Sequence, residues 1–145
     1  MESVLKKSFG LETFRPKQKE IIESVLEKHN TLGVLPTGSG KSLCYQVPAL
    51  ILEGTTIVIS PLISLMQDQV NTLQDKGINA QYINSNMSKK DQENVERLVF
   101  NGGVDLLYVA PERFNSSEFL ALIDSIHIPL CLLYTSDAAD DIALV

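Results

Sequence analysis

Residues Leu35 to Ser42 read LPTGSGKS, two glycines, a lysine and small hydroxyl residues directly behind an apolar run. The chemistry this composition suits is phosphate binding. Gly38 and Gly40 allow backbone angles that turn successive N–H groups inward, and they lack the Cβ atoms that would hold a triphosphate at a distance. Lys41 then reaches the β- and γ-phosphates as a point charge, and the Ser42 hydroxyl is suited to ligate Mg²⁺. A helix opening behind the loop adds the positive end of its dipole. With Pro36, Thr37 and Ser39 completing the loop, the segment predicts a nucleoside triphosphate site with ATP and Mg²⁺ as cofactors. The common pattern G-x-x-x-x-G-K-[ST] has Leu35 in place of its first glycine. A glycine-rich turn without a ligand is the plain alternative, and the apolar strand in front and GKS behind weigh against it.

Such a loop works only if a buried strand delivers it and a helix receives it. TLGVL, Thr31 to Leu35, reads as that strand, and a helix is predicted from around Gly40. The same alternation runs along the whole chain. TIVIS, AQYIN and VDLLYVA read as further strands, separated by segments of helical period. Val4, Leu5 and Phe9 predict a first helix stopped by Gly10, and Ile21, Ile22, Val25 and Leu26 a second. Leu62, Leu65, Met66, Gln69, Val70 and Leu73 trace a helical face that Gly77 can close. Ser88 with Asp91 resembles a capping box that opens a helix with Val95, Leu98 and Val99 on one face, closed by Asn101, Gly102 and Gly103. The rhythm predicts the α/β class, a mainly parallel sheet covered by helices.

Composition narrows the function classes. The 145 residues are the length of one domain, and 44% apolar residues suffice for one core. With 12 basic against 18 acidic residues the net charge is −6, so any nucleic-acid contact must be local. No apolar run approaches a membrane span, and MESVLKKSF lacks the apolar core of a secretory signal, so a soluble intracellular protein is expected. Cys44 and Cys131 match no metal spacing and no disulfide framework. Cys44 and the methionines read as core filling, and His29 and His127 as surface or strand-edge residues.

A phosphate loop alone could serve a kinase, a GTPase, a transporter ATPase or a helicase. FGLETFRPKQKEII upstream, LPTGSGKSLCYQVPAL at the loop, VISPLISLMQDQV next and LLYVAPERF after that occur in one order. Over Phe9 to about Leu130 they closely resemble the first RecA-like domain of RecQ-family DNA helicases, in which the replacement at Leu35 is ordinary. The resemblance implies a three-layer P-loop NTPase fold and ATP-dependent 3′-to-5′ DNA unwinding in recombination and repair. It also implies single-stranded or partly duplex DNA as partner and a cytoplasmic, nucleoid-associated location. It makes Gln18 of FRPKQ the residue whose amide reads the adenine edge, with Arg15 and Leu11 sandwiching the base. It places Ser60, Ser64 and backbone amides against DNA phosphates and Arg113 at the DNA side.

The chain departs from this pattern after SIHIPL, where the family has an apolar strand and then Asp-Glu-Ala-His. Tyr134 to Asp137 occupy the place of that acidic box. Asp140 and Asp141 come later and have no histidine beside them. Residues 1–130 therefore read as an incomplete ATP-binding RecA-like domain, and residues 131–145 as a foreign tail. CLLYTSDAADD can be back-translated into the transposase end sequence used in common sequencing libraries. The apolar residues through Tyr134 could still pair as a strand, while TSDAADD is expected to be exposed. The second RecA-like domain of such motors is also absent from the chain. On this reading the chain binds ATP and DNA but does not unwind alone. A stand-alone nucleotide- or DNA-binding adaptor is the alternative, and a small P-loop kinase is disfavoured for want of lid arginines.

Overall fold

The computed structural model describes residues 1–35, 40–134 and 141–144, the last four as backbone. Six strands form one sheet in the order β1-β6-β5-β2-β4-β3. They are β1 (Thr31–Val34), β2 (Thr56–Ile59), β3 (Ala80–Ile83), β4 (Leu106–Val109), β5 (Cys131–Tyr134) and β6 (Asp141–Leu144). Strand β2 lies parallel to both β4 and β5, and β3 is parallel to β4. The expected parallel sheet is thus found, with one exception. Strand β6 runs antiparallel between β1 and β5, joining Thr31 to Leu144 and Tyr134 to Ile142 in register.

Helices cover both faces. They are α1 (Glu2–Phe9), α2 (Gln18–Leu26), α3 (Leu43–Ile51), α4 (Ile63–Asp75), α5 (Lys89–Phe100) and α6 (Ser117–Ser125), with a short 3₁₀ turn over Pro111–Asn115. On one face Val25, Tyr45, Ala49, Met66, Val70 and Leu73 pack against Val58, Leu106, Tyr108 and Leu132 of the sheet. On the other, Val95, Val99, Phe119 and Leu122 meet Ile57, Ile83, Leu107 and Val109. A central strand flanked by both layers has no solvent side, which is why β4 is apolar and buried at every position. A smaller cluster of Leu5, Ile22 and Val47 fastens α1 to α2 and α3.

The local signals act as the sequence suggests. The first helix ends at Gly10 with φ 67°, and its N–H returns to the Lys6 carbonyl at 3.0 Å. Ser88 accepts the Asp91 N–H and opens α5. Three details differ. The helix behind the phosphate loop begins at Leu43 rather than near Gly40, because Gly40 holds a left-handed φ of 73° that no helix continues through. Leu98 is 46% exposed, since α5 buries only the narrow arc through Val95 and Val99. Asp141, read as part of an exposed tail, opens β6, while residues 135–140 of that tail lie outside the described residues.

Candidate nucleotide site

The site is assembled where the segment before α2 meets the start of α3. Arg15, Pro16 and Lys17 form a tight turn in which Lys17 adopts φ 70° and the Gln18 N–H returns to the Arg15 carbonyl at 3.2 Å. That turn drives the Gln18 side chain inward, leaving it 1% exposed. Its Oε1 accepts the Arg15 N–H at 2.6 Å, and its Nε2 donates to the Gly40 carbonyl at 2.8 Å. A buried amide is tolerable only when its donor and acceptor are both used, and here the partners are the two segments that the site must bring together.

Gly40 shows why the loop needs a residue without a side chain. A Cβ there would meet Gln18 Nε2 at 2.5 Å and the Arg15 guanidinium at 3.7 Å, on top of the strain of φ 73°. Arg15 therefore lies beside the Gly40 backbone. Leu11 is 43% exposed and shares a groove of about 320 Å³ with Ser42, Leu43, Gln69, Thr72 and Lys76. Pro36, Thr37, Gly38 and Ser39, the rest of the predicted loop, lie outside the described residues.

Lys41 is only 8% exposed, and its Nζ stands 5.6 Å from the centre of the Tyr134 ring. The place read as that of the acidic box thus presents an aromatic face to the lysine, a cation–π contact. Tyr134 in turn meets the Tyr45 ring edge-on at 5.3 Å, and the Tyr45 and Tyr108 hydroxyls share a hydrogen bond of 2.7 Å. Burial pushes both phenols up, that of Tyr108 to about 12, so the pair stays neutral at working pH. Burial likewise lifts the Cys44 thiol to about 12, in keeping with core filling. Ser42 caps α3 without a side-chain bond to that helix.

The residues read as DNA contacts are distributed unevenly. Ser64 is exposed in the first turn of α4. Ser60 is instead fully buried, and its hydroxyl accepts the Leu62 N–H at 3.3 Å, shaping the entry to α4 rather than facing outward. Arg113 is also turned inward. Its Nη2 pairs with Glu96 Oε1 at 3.1 Å, both side chains under 20% exposed, and its guanidinium lies 5.5 Å from the Phe119 ring centre. Sequence reading had no route to Glu96, which comes from a different helix. Nor did it single out Gln46, whose Nε2 donates to Gln69 Oε1 at 2.9 Å, although a glutamine inside the apolar run CYQVPAL is the kind of signal that marks a buried polar bond.

Comparison with known proteins places this geometry. The pattern of the family described as DEAD/DEAH box helicase matches residues 15–128. The ATP-dependent DNA helicase RecQ of Bacillus subtilis is 53% identical over 132 residues, covering 89% of this chain and 22% of that protein. Its namesake in Haemophilus influenzae is 45% identical over 136 residues, 94% of this chain and 22% of the relative. The chain spans about a fifth of the length of these curated relatives. Among solved structures, the DUF1998 helicase MrfA bound to DNA and AMPPNP is similar in fold, with a TM-score of 0.67 at 21% identity over 80% of this chain and 17% of that one. A hypothetical ATP-dependent RNA helicase from Sulfolobus tokodaii gives 0.66 at 24% identity over 86% and 38%. The match over residues 15–128 and the agreement with these relatives over most of the chain lead to one assignment: the chain belongs to the DEAD/DEAH box helicase family, with the RecQ helicases among its relatives.

Proposed function

We propose that the chain is the nucleotide-binding part of a RecQ-type motor, an ATP-dependent helicase that moves 3′-to-5′ on DNA during recombination and repair. The observation that carries this reading is the Gln18 amide bridging the Arg15 N–H and the Gly40 carbonyl beside Lys41. That arrangement puts an amide capable of reading a base edge and a phosphate loop within one hydrogen bond of each other. The groups present suit ATP. Gly40 gives a bare backbone, Lys41 a cation, Arg15 and Leu11 flanking surfaces, and the start of α3 a positive dipole end.

Mg²⁺ finds a poorer donor set. The Ser42 hydroxyl can serve as one oxygen ligand, but no group of three or more His, Cys, Asp or Glu gathers among the described residues, and Tyr134 faces Lys41. We expect the chain as it stands to bind ATP with negligible hydrolysis; a stand-alone nucleotide- or DNA-binding adaptor is the alternative. DNA binding through Ser64 and the backbone at the start of α4 is expected to be weak, sequence-indifferent and strongly salt-dependent, since the net charge of −6 opposes it. No helix among the described residues is long and apolar enough to cross a membrane. A cytoplasmic, nucleoid-associated location goes with the DNA role.

Cys131 to about Asp141 is proposed to be a translated library adapter joined at Leu130, and β5 forms through Tyr134 because its residues are apolar. Reading the locus from source DNA decides this: the same tail codons would refute it. The nucleotide reading is tested by calorimetry with ATP and GTP on the chain and on Lys41→Ala. Preference for ATP, with most affinity lost in the variant, is the expected result. Equal affinity in the variant overturns the assignment.

A further inference from the structure

Helix α3 begins at the phosphate loop and α4 begins at the segment read as facing DNA. Both otherwise turn their buried residues toward the sheet, Tyr45 and Ala49 from one and Met66, Val70 and Leu73 from the other. Between them, among the described residues, runs the hydrogen bond from Gln46 Nε2 to Gln69 Oε1 at 2.9 Å. Gln46 is 6% exposed, and its N–H donates to the Ser42 carbonyl at 3.0 Å, so it lies one turn from the phosphate loop. Gln69 lies five residues beyond Ser64, about 7.5 Å along the axis of α4. We propose that the Gln46–Gln69 amide pair is the tie through which nucleotide at the start of α3 and DNA phosphate at the start of α4 change each other's affinity. The proposal rests on the nucleotide and DNA reading given above.

The chemistry of the pair is the reason. Apolar contact is non-directional and survives a slide of one helix along another, whereas an amide–amide bond weakens steeply when its distance or angle changes. A phosphate drawn onto Gly40, Lys41 and Ser42 acts on the first turn of α3, and Gln46 carries the displacement across to α4. The hydroxyl pair of Tyr45 and Tyr108 fixes the neighbouring position of α3 to β4, so motion at the loop is taken up at the Gln46–Gln69 bond rather than at Tyr45. Reciprocity then requires that DNA on α4 alter nucleotide affinity by the same factor. Gln46 and Gln69 are positioning residues in this scheme, acting through the helices that they join.

The test is the coupling factor, obtained from ATP affinity by calorimetry with and without saturating oligothymidylate on the whole 145-residue chain. A factor of about five or more is expected for the natural sequence. Gln69→Leu should bring it to about one, whatever happens to either affinity alone. Gln69→Glu keeps an acceptor oxygen for Gln46 and should retain the coupling, which a merely space-filling role would not distinguish. If both ligands bind and the factor is one in the unaltered chain, or persists in Gln69→Leu, the tie is refuted while the nucleotide reading stands. If neither ligand binds, that reading fails and takes the tie with it.

Discussion

The Gln18 side chain grips Gly40 across 2.8 Å while its oxygen holds the Arg15 N–H at 2.6 Å. A residue expected to touch only the base is therefore also a strut of the phosphate loop. Gln18→Ala should erase the preference for ATP over GTP. It should also lower affinity for both triphosphates by about five- to tenfold, because a lost hydrogen bond of roughly 1 kcal/mol loosens the loop itself. Calorimetry with the two nucleotides separates the effects. A loss confined to ATP would show that the strut is dispensable.

Gly40→Ala should be more severe than its single methyl suggests. The left-handed φ costs a non-glycine residue roughly 1–2 kcal/mol, and the added Cβ meets Gln18 Nε2 at 2.5 Å, which displaces the amide. Thermal melting should show the lower stability, and nucleotide affinity should fall to about the level of Gln18→Ala. Unchanged affinity would mean that the loop forms without its contact to Gln18.

Glu96 and Arg113 form a largely buried ion pair, with the Arg113 Nε enclosed and without a hydrogen-bond partner among the described residues. Glu96→Gln leaves that guanidinium without its counter-charge and should cost roughly 3 kcal/mol of stability in denaturant unfolding. Arg113→Met paired with Glu96→Leu should recover much of the loss, since two apolar side chains of similar volume avoid the desolvation cost. If Arg113→Met instead leaves stability intact and weakens DNA binding, the arginine serves the nucleic acid.

Asp105 sits just before β4, its N–H bonded to the Asn79 carbonyl and its carbonyl to the Thr56 N–H. Partial burial raises its carboxyl above the ordinary 3.8. The folded state therefore holds the proton more tightly than the unfolded chain, and stability falls as pH rises from 3.8 through the raised value. Asp105→Asn should raise the melting temperature at pH 7, and the gain should shrink as both forms become neutral below the carboxylate range. A gain that is the same at every pH would trace to something other than ionisation.

Elements whose signals are local were legible in the sequence. The Ser88–Asp91 cap, the Gly10 stop and the alternation of β-branched runs with helical periods all depend on residues a few positions apart. What escaped depends on distant partners or on short segments. Helix α6 was passed over, although Ser116 accepts the Phe119 N–H at 3.3 Å and the apolar residues Phe119 and Leu122 mark its inner side. Strand β6 could not be foreseen, because its pairing with β1 joins opposite ends of the chain. The same holds within the site. Gln18 and Lys41 stood out by type and spacing, but the inward turn of Arg113 meets Glu96 from another helix, and no periodicity encodes that Ser60 will be buried.

The position of β6 makes β1 depend on residues read as foreign to the gene. Strand β1, which leads into the phosphate loop, has its only strand neighbour among the described residues in β6, with Thr31 opposite Leu144. Leu32 and Val34 remain 67% and 60% exposed even after that pairing. Without β6 they would border an open row of backbone donors and acceptors, the kind of edge to which a second chain can add a strand. The tail, foreign or not, thus acts as a cover that keeps one copy of β1 from meeting another.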